Sequence, residues 1–489
     1  MNIWREVLVA AALRDDHPAI RFEGETITYA QLARRVEQRA ALFATEGVGI
    51  GDRVCIFLPN SPDFVVAYYA LVRLGAVAVS VNVMSKTDEL RHIITDAAAV
   101  AIVTSHDLVE RVPPRSDVPS LRHVRVEPPS VPHEARAVPP PVADLSRDAP
   151  AAILYTSGTT GKAKGAVLSH GNVVSNAHGA KHVTGIGRDD VVVCFLPLFH
   201  CFGQNVLMNA PLFAGATVAL ERRFSVEQTL ACVEREKVSM LFAVPTAYIA
   251  LLGDPRTASA LASVRYSFSA AAILPVHVEE AWHAATQMHV HEGYGLTETS
   301  PFASYNHVWS WKPGSIGAPL ENVEMCIQDE AGRAIEAGLV GEICIRGPNV
   351  MLGYWGRPDE TAAAIQDGWF HSGDIGYRDN EGDYFIVDRV KDMINAAGFK
   401  VWPREVEEVL FAHEHVHEAA VVGVPDDYAG EAVKAFLVAK AGVVLDVASV
   451  LALCHERLSV YKIPKQVEVV LAIPKGATGK VLKKDLRGR

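Results

Sequence analysis

The chain has 489 residues, 49% hydrophobic and 21% charged, with a formal net charge of −11. That length supplies several folding units and a core needing no staples, and the acidic balance excludes a general nucleic-acid binder, whose partner is a polyanion. Seven scattered cysteines (Cys55, Cys194, Cys201, Cys232, Cys326, Cys344 and Cys454) form no CxxC pair, which argues against a disulfide framework or zinc ribbon and fits a reducing, cytoplasmic compartment. The first residues carry a short apolar run broken by Arg14, Asp15 and Asp16, so no signal peptide is expected. No apolar run reaches the roughly 20 residues of a membrane span.

In chain order, Thr28 is placed to cap a helix carrying Leu32, Val36 and Leu42 that stops near Gly47. Val54–Leu58 reads as a buried strand, Pro62–Leu74 as a helix and Val77–Val81 as a second strand. Strand, helix and strand in that order predict parallel α/β architecture. Ten prolines between Pro113 and Pro150 predict a surface excursion within one domain. From about 320 to 387, glycine-rich turns separate short β-rich runs, as in a compact antiparallel subdomain. A helix at Pro403–His413 opens a last α+β unit. The expected division is 1–388 and 389–489: a large N-terminal domain of parallel α/β sheets plus a small β subdomain, and a small, mobile C-terminal domain.

The most informative segment is Tyr155-Thr156-Ser157-Gly158-Thr159-Thr160-Gly161-Lys162-Ala163-Lys164-Gly165, which follows the strand Ala152–Leu154 and precedes Ser169, a cap for a helix through Val173 and Val174. Three glycines let a backbone turn tightly and aim N–H groups at an anion. Hydroxyls and two lysines add donors and charge. The loop suits the β- and γ-phosphates of a nucleotide, yet it is not a Walker A loop. Composition alone would allow a flexible polar turn.

The whole string resembles the phosphate loop of the adenylate-forming superfamily: acyl-CoA synthetases, firefly-type luciferases and peptide-synthetase adenylation domains. Further matching segments follow in order: Tyr294-Gly295-Leu296-Thr297-Glu298-Thr299, Ser372-Gly373-Asp374, Asp388-Arg389-Val390-Lys391-Asp392 with Gly398-Phe399-Lys400, and Pro474-Lys475-Gly476-Ala477-Thr478-Gly479-Lys480. The run Asn395–Glu405 makes the resemblance closest to medium- and long-chain fatty acyl-CoA synthetases.

The resemblance implies ATP, Mg²⁺ and coenzyme A as cofactors, with a small-molecule carboxylic acid as substrate. Thr156, Ser157, Gly158, Thr159, Thr160, Gly161, Lys162 and Lys164 would cradle phosphates, with Thr297 touching a phosphate. Glu298 would hold Mg²⁺, since a carboxylate beside phosphates needs an intervening cation. Tyr294, beside Gly295, would stack on adenine. Asp374 would accept the two ribose hydroxyls, with Arg389 nearby. Lys480 would be the catalytic lysine, bridging the acyl carboxylate and the α-phosphate. Lys391 matches the hinge, and Gly398 the glycine lining the pantetheine tunnel, so the small domain would rotate between two half-reactions.

On the acid side, Pro197–Gln204 resembles the pocket-lining segment, with His200 bordering the carboxylate and Phe202 beside it. The aspartate that amino-acid-activating relatives use to hold an ammonium group is absent here. Where the family carries Ser-Gly-Gly, this chain has Ser269-Ala270-Ala271. Two added methyls would narrow the acyl slot.

The expected activity is acid adenylation followed by transfer to coenzyme A, the acid being fatty or otherwise apolar. An acyl carrier protein or another nucleophile is the alternative acceptor, and an inactive acyl-nucleotide-binding protein the alternative class. The expected state is a monomer or homodimer.

Overall fold

The computed structural model describes residues 1–127, 138–156, 163–389, 392–396, 399–426, 430–476 and 479–487. Four sheets organise them. The first has nine strands in the order Ala318–Pro319, Phe302–Tyr305, Val290–Gly295, Tyr266–Ser269, Met240–Ala243, Val191–Cys194, Thr217–Leu220, Pro18–Phe22 and Glu25–Thr28. Its six central strands, from Val290–Gly295 to Pro18–Phe22, are parallel.

The second has seven strands: Gly353–Tyr354, Lys164–Ser169, Pro150–Thr156, Val77–Ser80, Arg53–Phe57, Ala101–Ser105 and His123–Glu127. Parallel pairing runs from Pro150–Thr156 to His123–Glu127, and the other two strands are antiparallel.

Local chemistry sets many boundaries. The helix Tyr29–Thr45 starts at a capping box in which the Thr28 hydroxyl accepts from Gln31 N–H and the Gln31 side chain accepts from Thr28 N–H. The helix Pro62–Leu74 has Pro62 in its first turn, Ser61 accepting from Phe64 N–H, and Gly75 closing it at φ 77°. Every residue of that helix except Asp63 is buried. Its aromatic side chains Phe64, Tyr68 and Tyr69 are fully enclosed, a burial worth roughly 2 kcal/mol each.

Two strands depart from the sequence expectation. His123–Glu127 lies inside the proline-rich stretch yet forms the edge of the seven-stranded sheet, with Val118 and Leu121 buried beneath the chain. The prolines flank this strand rather than interrupt it. Lys164–Ser169 is also a strand, so Lys164 and Gly165 belong to a hairpin arm and not to the loop before the Ser169 cap. The helix His170–Thr184 starts at Ser169 as expected, again with a capping box.

The third sheet is antiparallel, as expected, and comprises Glu324–Gln328, Gly341–Arg346, Trp369–Arg378, Ile365–Gln366 and Tyr384–Arg389. The strand Tyr384–Arg389 runs across residues 388 and 389. The next described strand, Ile394–Ala396, belongs to the fourth sheet, with Phe399–Val401, Gly430–Ala439, Val416–Asp426 and Gln466–Val469. The helices Pro403–Phe411 and Val447–Arg457 pack on that sheet around a separate apolar cluster that includes Val406, Leu410, Val421 and Val450. Among the described residues, no helix is long and apolar enough to cross a membrane.

Candidate active site

The loops after parallel strands of the nine-stranded sheet converge at the strands' carboxyl ends, where open α/β sheets place their ligand crevices. Val191–Cys194 leads to His200, Met240–Ala243 to Val244–Thr246, Tyr266–Ser269 to Ala270 and Ala271, and Val290–Gly295 to Thr297 and Glu298. Gly295 is obligatory there: a Cβ on it would lie 1.5 Å from the Pro301 carbonyl oxygen.

The expected phosphate loop connects the antiparallel strands Pro150–Thr156 and Lys164–Ser169, in which Thr156 and Lys164 are cross-strand partners. Ser157, Gly158, Thr159, Thr160, Gly161 and Lys162 lie outside the described residues, as do Lys391 and Gly398. Tyr155 anchors the hairpin by donating its hydroxyl to Asp96 Oδ2 at 2.8 Å.

The short strand Gly353–Tyr354 pairs with the outer hairpin arm, setting Tyr354 opposite Ala166. There Tyr354 donates its hydroxyl to Glu298 Oε1 at 2.9 Å. Lys164 Nζ lies 5.3 Å from the Tyr354 ring centroid and pairs with Glu360. Tyr354 thus ties the expected metal ligand to the phosphate hairpin. Motif reading missed it, because it is 56 residues from Glu298 and only the fold joins them. Its one local signal is an aromatic residue in the turn-rich string Gly353-Tyr354-Trp355-Gly356.

Glu298 is buried. Among the described residues no lysine, arginine or histidine forms a salt bridge with it, and only one of its oxygens takes the Tyr354 proton. A buried carboxylate whose second oxygen takes no side-chain donor among the described residues, beside a phosphate hairpin, fits Mg²⁺, a hard cation that takes oxygen ligands.

The third sheet contributes a second group. Asp374 and Arg389 are cross-strand partners, with Arg389 Nε 2.7 Å from Asp374 Oδ1. Tyr294, from the nine-stranded sheet, donates its hydroxyl to Asp374 Oδ2 at 2.7 Å. Burial, reinforced by the Asp374 carboxylate, lifts the Tyr294 phenol well above its ordinary range and keeps it a donor. Each Asp374 oxygen already accepts one hydrogen bond and retains a lone pair for a further donor. A bulge at Ser372–Asp374 aims the aspartate, with the Gly373 N–H held by Glu342 Oε1 at 2.8 Å.

His200 is half-buried, and its Nδ1 accepts from Phe202 N–H at 3.3 Å. Burial, with the Lys480 charge, pulls its pKa down to about 4. That coupling locates Lys480 near His200. The loop carrying it is seated on the nine-stranded side, since a Cβ on Gly479 would lie 2.6 Å from Thr246 Oγ1. Phe202 opens a buried π-helical segment, Phe202–Asn209, a distortion frequent at functional sites. Periodicity gave no warning of it in a uniformly buried run. The Phe202 ring lies 6.3 Å from that of Phe268, and Phe268 stacks on Phe302 at 5.2 Å. Ser269 ends the same strand as Phe268 and is fully buried with no partner for its hydroxyl among the described residues. Ala270 is buried, and Ala271 stands at φ 70°.

The model of the AMP-binding enzyme family matches residues 8–355, and that of its C-terminal domain matches residues 405–480. The chain belongs to the family of AMP-binding enzymes. It is 34% identical to a long-chain-fatty-acid–CoA ligase of Bacillus subtilis, over 98% of this chain and 92% of that one. It is 36% identical to a feruloyl-CoA synthase of an Amycolatopsis species, over 96% and 95% of the two chains. The solved structure of ATP-bound MatB from Rhodopseudomonas palustris superposes with a TM-score of 0.93, at 34% identity over 100% of this chain and 99% of that one. This AMP-binding enzyme is an acid–thiol ligase that uses ATP and coenzyme A. Similar identity to a fatty-acid and an aryl-acid enzyme leaves the narrower resemblance to fatty acyl-CoA synthetases without force for the substrate.

Neutral buried histidines predict an acid-sensitive fold for the ligase. His170 Nδ1 accepts from Ile3 N–H at 3.2 Å, and burial holds its pKa at about 4 against an ordinary 6.5. The unfolded chain therefore takes up the proton first. The stability from His170 is complete above 6.5 and is lost as pH falls towards 4. Glu292, which burial pushes up to about 7, acts in the opposite sense and loses stability as pH rises from its ordinary 4.5. The test is a difference. Thermal melts of His170→Asn, which keeps an acceptor for Ile3, should show a shallower acid-side decline than the unsubstituted enzyme. Parallel declines would refute the assignment.

Proposed function

We propose that this ligase activates an apolar monocarboxylic acid, fatty or aryl and with no charge beyond its one carboxylate, as its acyl adenylate and transfers the acyl group to coenzyme A. The observation that carries this is the aromatic cluster of Phe202, Phe268 and Phe302 next to the strand end Ser269-Ala270-Ala271, where Ser269 and its cross-strand neighbour Glu292 are the polar groups. A second carboxylate on the substrate would lie against aromatic rings or near the buried Glu292 carboxyl, and burying an unpaired charge is costly.

In this reading His200, neutral at working pH, borders the acid's carboxylate without adding charge. Lys480 holds carboxylate and α-phosphate together as negative charge develops on the phosphoryl oxygens. Asp374 accepts the ribose hydroxyls, and Arg389 and Tyr294 fix its orientation. Thr297, Thr156 and Lys164 would face the phosphates, together with the segment 157–162. Glu298 would hold Mg²⁺, which neutralises the triphosphate when bound. Residues 390–393, between the third and fourth sheets, would form the joint about which the small domain turns, with Lys391 in it. Gly398 would face the incoming thiol.

The test is a mass-spectrometric panel of fatty, aryl, dicarboxylic and amino acids with MgATP, with and without coenzyme A. Acyl-CoA and AMP from fatty or aryl acids are the expected products. Turnover confined to dicarboxylic or amino acids would overturn the reading, and acyl adenylate without thioester would move the acceptor to a carrier protein or another nucleophile.

Ala271 offers a sharper probe. A left-handed conformation costs a non-glycine residue about 1–2 kcal/mol. Ala271→Gly should therefore raise stability by about 1 kcal/mol and widen the range of acids accepted. Denaturant titration and the acid panel read both effects. An unchanged range would mean that the Ala271 methyl does not bound the slot.

A further inference from the structure

The third sheet carries a row of soft ligands outside the substrate machinery. Cys326 lies directly opposite Cys344, and Cys344 directly opposite His371, across three adjacent antiparallel strands. Directly opposed residues share one face of a sheet, so the three side chains stand side by side. Glu342 is two residues before Cys344 and joins them: His371 Nδ1 lies 2.9 Å from Glu342 Oε2 and 3.6 Å from Cys344 Sγ. The ligand atoms of Glu342, Cys344 and His371 all fall within 4.8 Å of one another. The Cys326 thiol, which accepts from the Gln328 side-chain amide at 3.5 Å, faces Cys344 from the neighbouring strand but stands outside that group. Cys344 is buried, whereas Cys326, Glu342 and His371 are half-buried, so the row is reachable from solvent.

We propose that Cys344, His371 and Glu342 form a site for a soft divalent metal of the Zn²⁺ type, with Cys326, directly opposite Cys344, turning its side chain in as the fourth ligand. Zn–S bonds of about 2.3 Å and Zn–N and Zn–O bonds of about 2.0–2.2 Å put tetrahedral ligand atoms roughly 3.3–3.8 Å apart. The 3.6 Å between Cys344 Sγ and His371 Nδ1 already matches. The shorter His371–Glu342 contact is a hydrogen bond that the ion would replace. On binding, each thiol releases its proton to solvent and the imidazole binds through its neutral nitrogen.

The site has a structural consequence. Glu342 Oε2 is the oxygen facing His371, while Oε1 continues to accept from Gly373 N–H in the bulge that carries Asp374. A metal here would staple that bulge from behind. The other close group of acids, Asp379, Glu381 and Asp383, is already held by Lys312 Nζ and offers no comparable vacancy.

The test uses the full chain, reduced with a phosphine and desalted, with Co²⁺ as the probe. The expected result is one Co²⁺ per chain, a thiolate-to-cobalt charge-transfer band that Zn²⁺ abolishes, and a higher Tm with metal. The band should weaken in Cys326→Ser and vanish in Cys326→Ser/Cys344→Ser, with melting curves showing that both variants fold. A folded, unsubstituted chain without the band would overturn the proposal. So would a band that survives in the double variant, which points to the other five cysteines, or a Cys326–Cys344 disulfide that persists under the reductant.

Discussion

Replacing Lys480 with alanine is expected to slow acyl-adenylate formation by about 10²–10³-fold, the range seen when one preorganised group is removed from developing oxyanion charge. ATP binding should persist, because phosphate loop, Tyr294, Asp374 and Arg389 remain. The thiol step, started from synthetic acyl adenylate, should also persist, since Lys480 acts only where carboxylate and α-phosphate meet. Rapid-quench measurement of acyl adenylate, beside the thioester assay, separates the two half-reactions. Equal slowing of both would reject the role. The placement has a second readout. The Lys480 charge helps hold His200 down to about 4, so removing it should raise the His200 pKa. Imidazole titration by NMR follows that shift without reference to turnover.

The local elements of this enzyme were legible because their signals are local. Thr28, Ser61 and Ser169 cap helices through side chains within three residues of the backbone groups they satisfy. Pro62–Leu74 is bounded by a proline and a glycine at the positions such a helix demands. What escaped depends on partners distant in sequence. His123–Glu127 is a strand because Ala101–Ser105 has an open edge, a fact its own proline-rich surroundings hide. Tyr354 reaches Glu298 only once a two-residue strand pairs with the phosphate hairpin. The cysteines that look scattered along the chain include two that face each other in the third sheet. Motif reading did mark Ala271 as a departure from glycine, and the backbone gives that departure its physical content, a φ of 70°.

Asp374 carries the other large expected effect. Its two oxygens accept from Tyr294 and Arg389, which come from different sheets, so it both joins the sheets and presents lone pairs towards the nucleotide. Asp374→Ala removes both functions. Hydrogen bonds to charged groups are worth about 1.5–3 kcal/mol, so its loss should destabilise the fold by about that amount. The low end is favoured, because the Arg389 side chain keeps 31% of its surface in water and can be solvated when orphaned. Losing charge-assisted acceptance of the ribose hydroxyls should raise the KM for ATP by about 10²-fold, the equivalent of nearly 3 kcal/mol. Asp374→Asn separates the two functions. Its carbonyl oxygen can still accept from Arg389, and its amide can donate to the Tyr294 oxygen, so the junction survives. The paired anionic acceptors do not. The asparagine variant should therefore melt close to the unsubstituted enzyme yet share most of the ATP defect of the alanine variant. If both variants kept the original KM for ATP, Asp374 would be only a structural clasp between sheets, and the ribose assignment would fall.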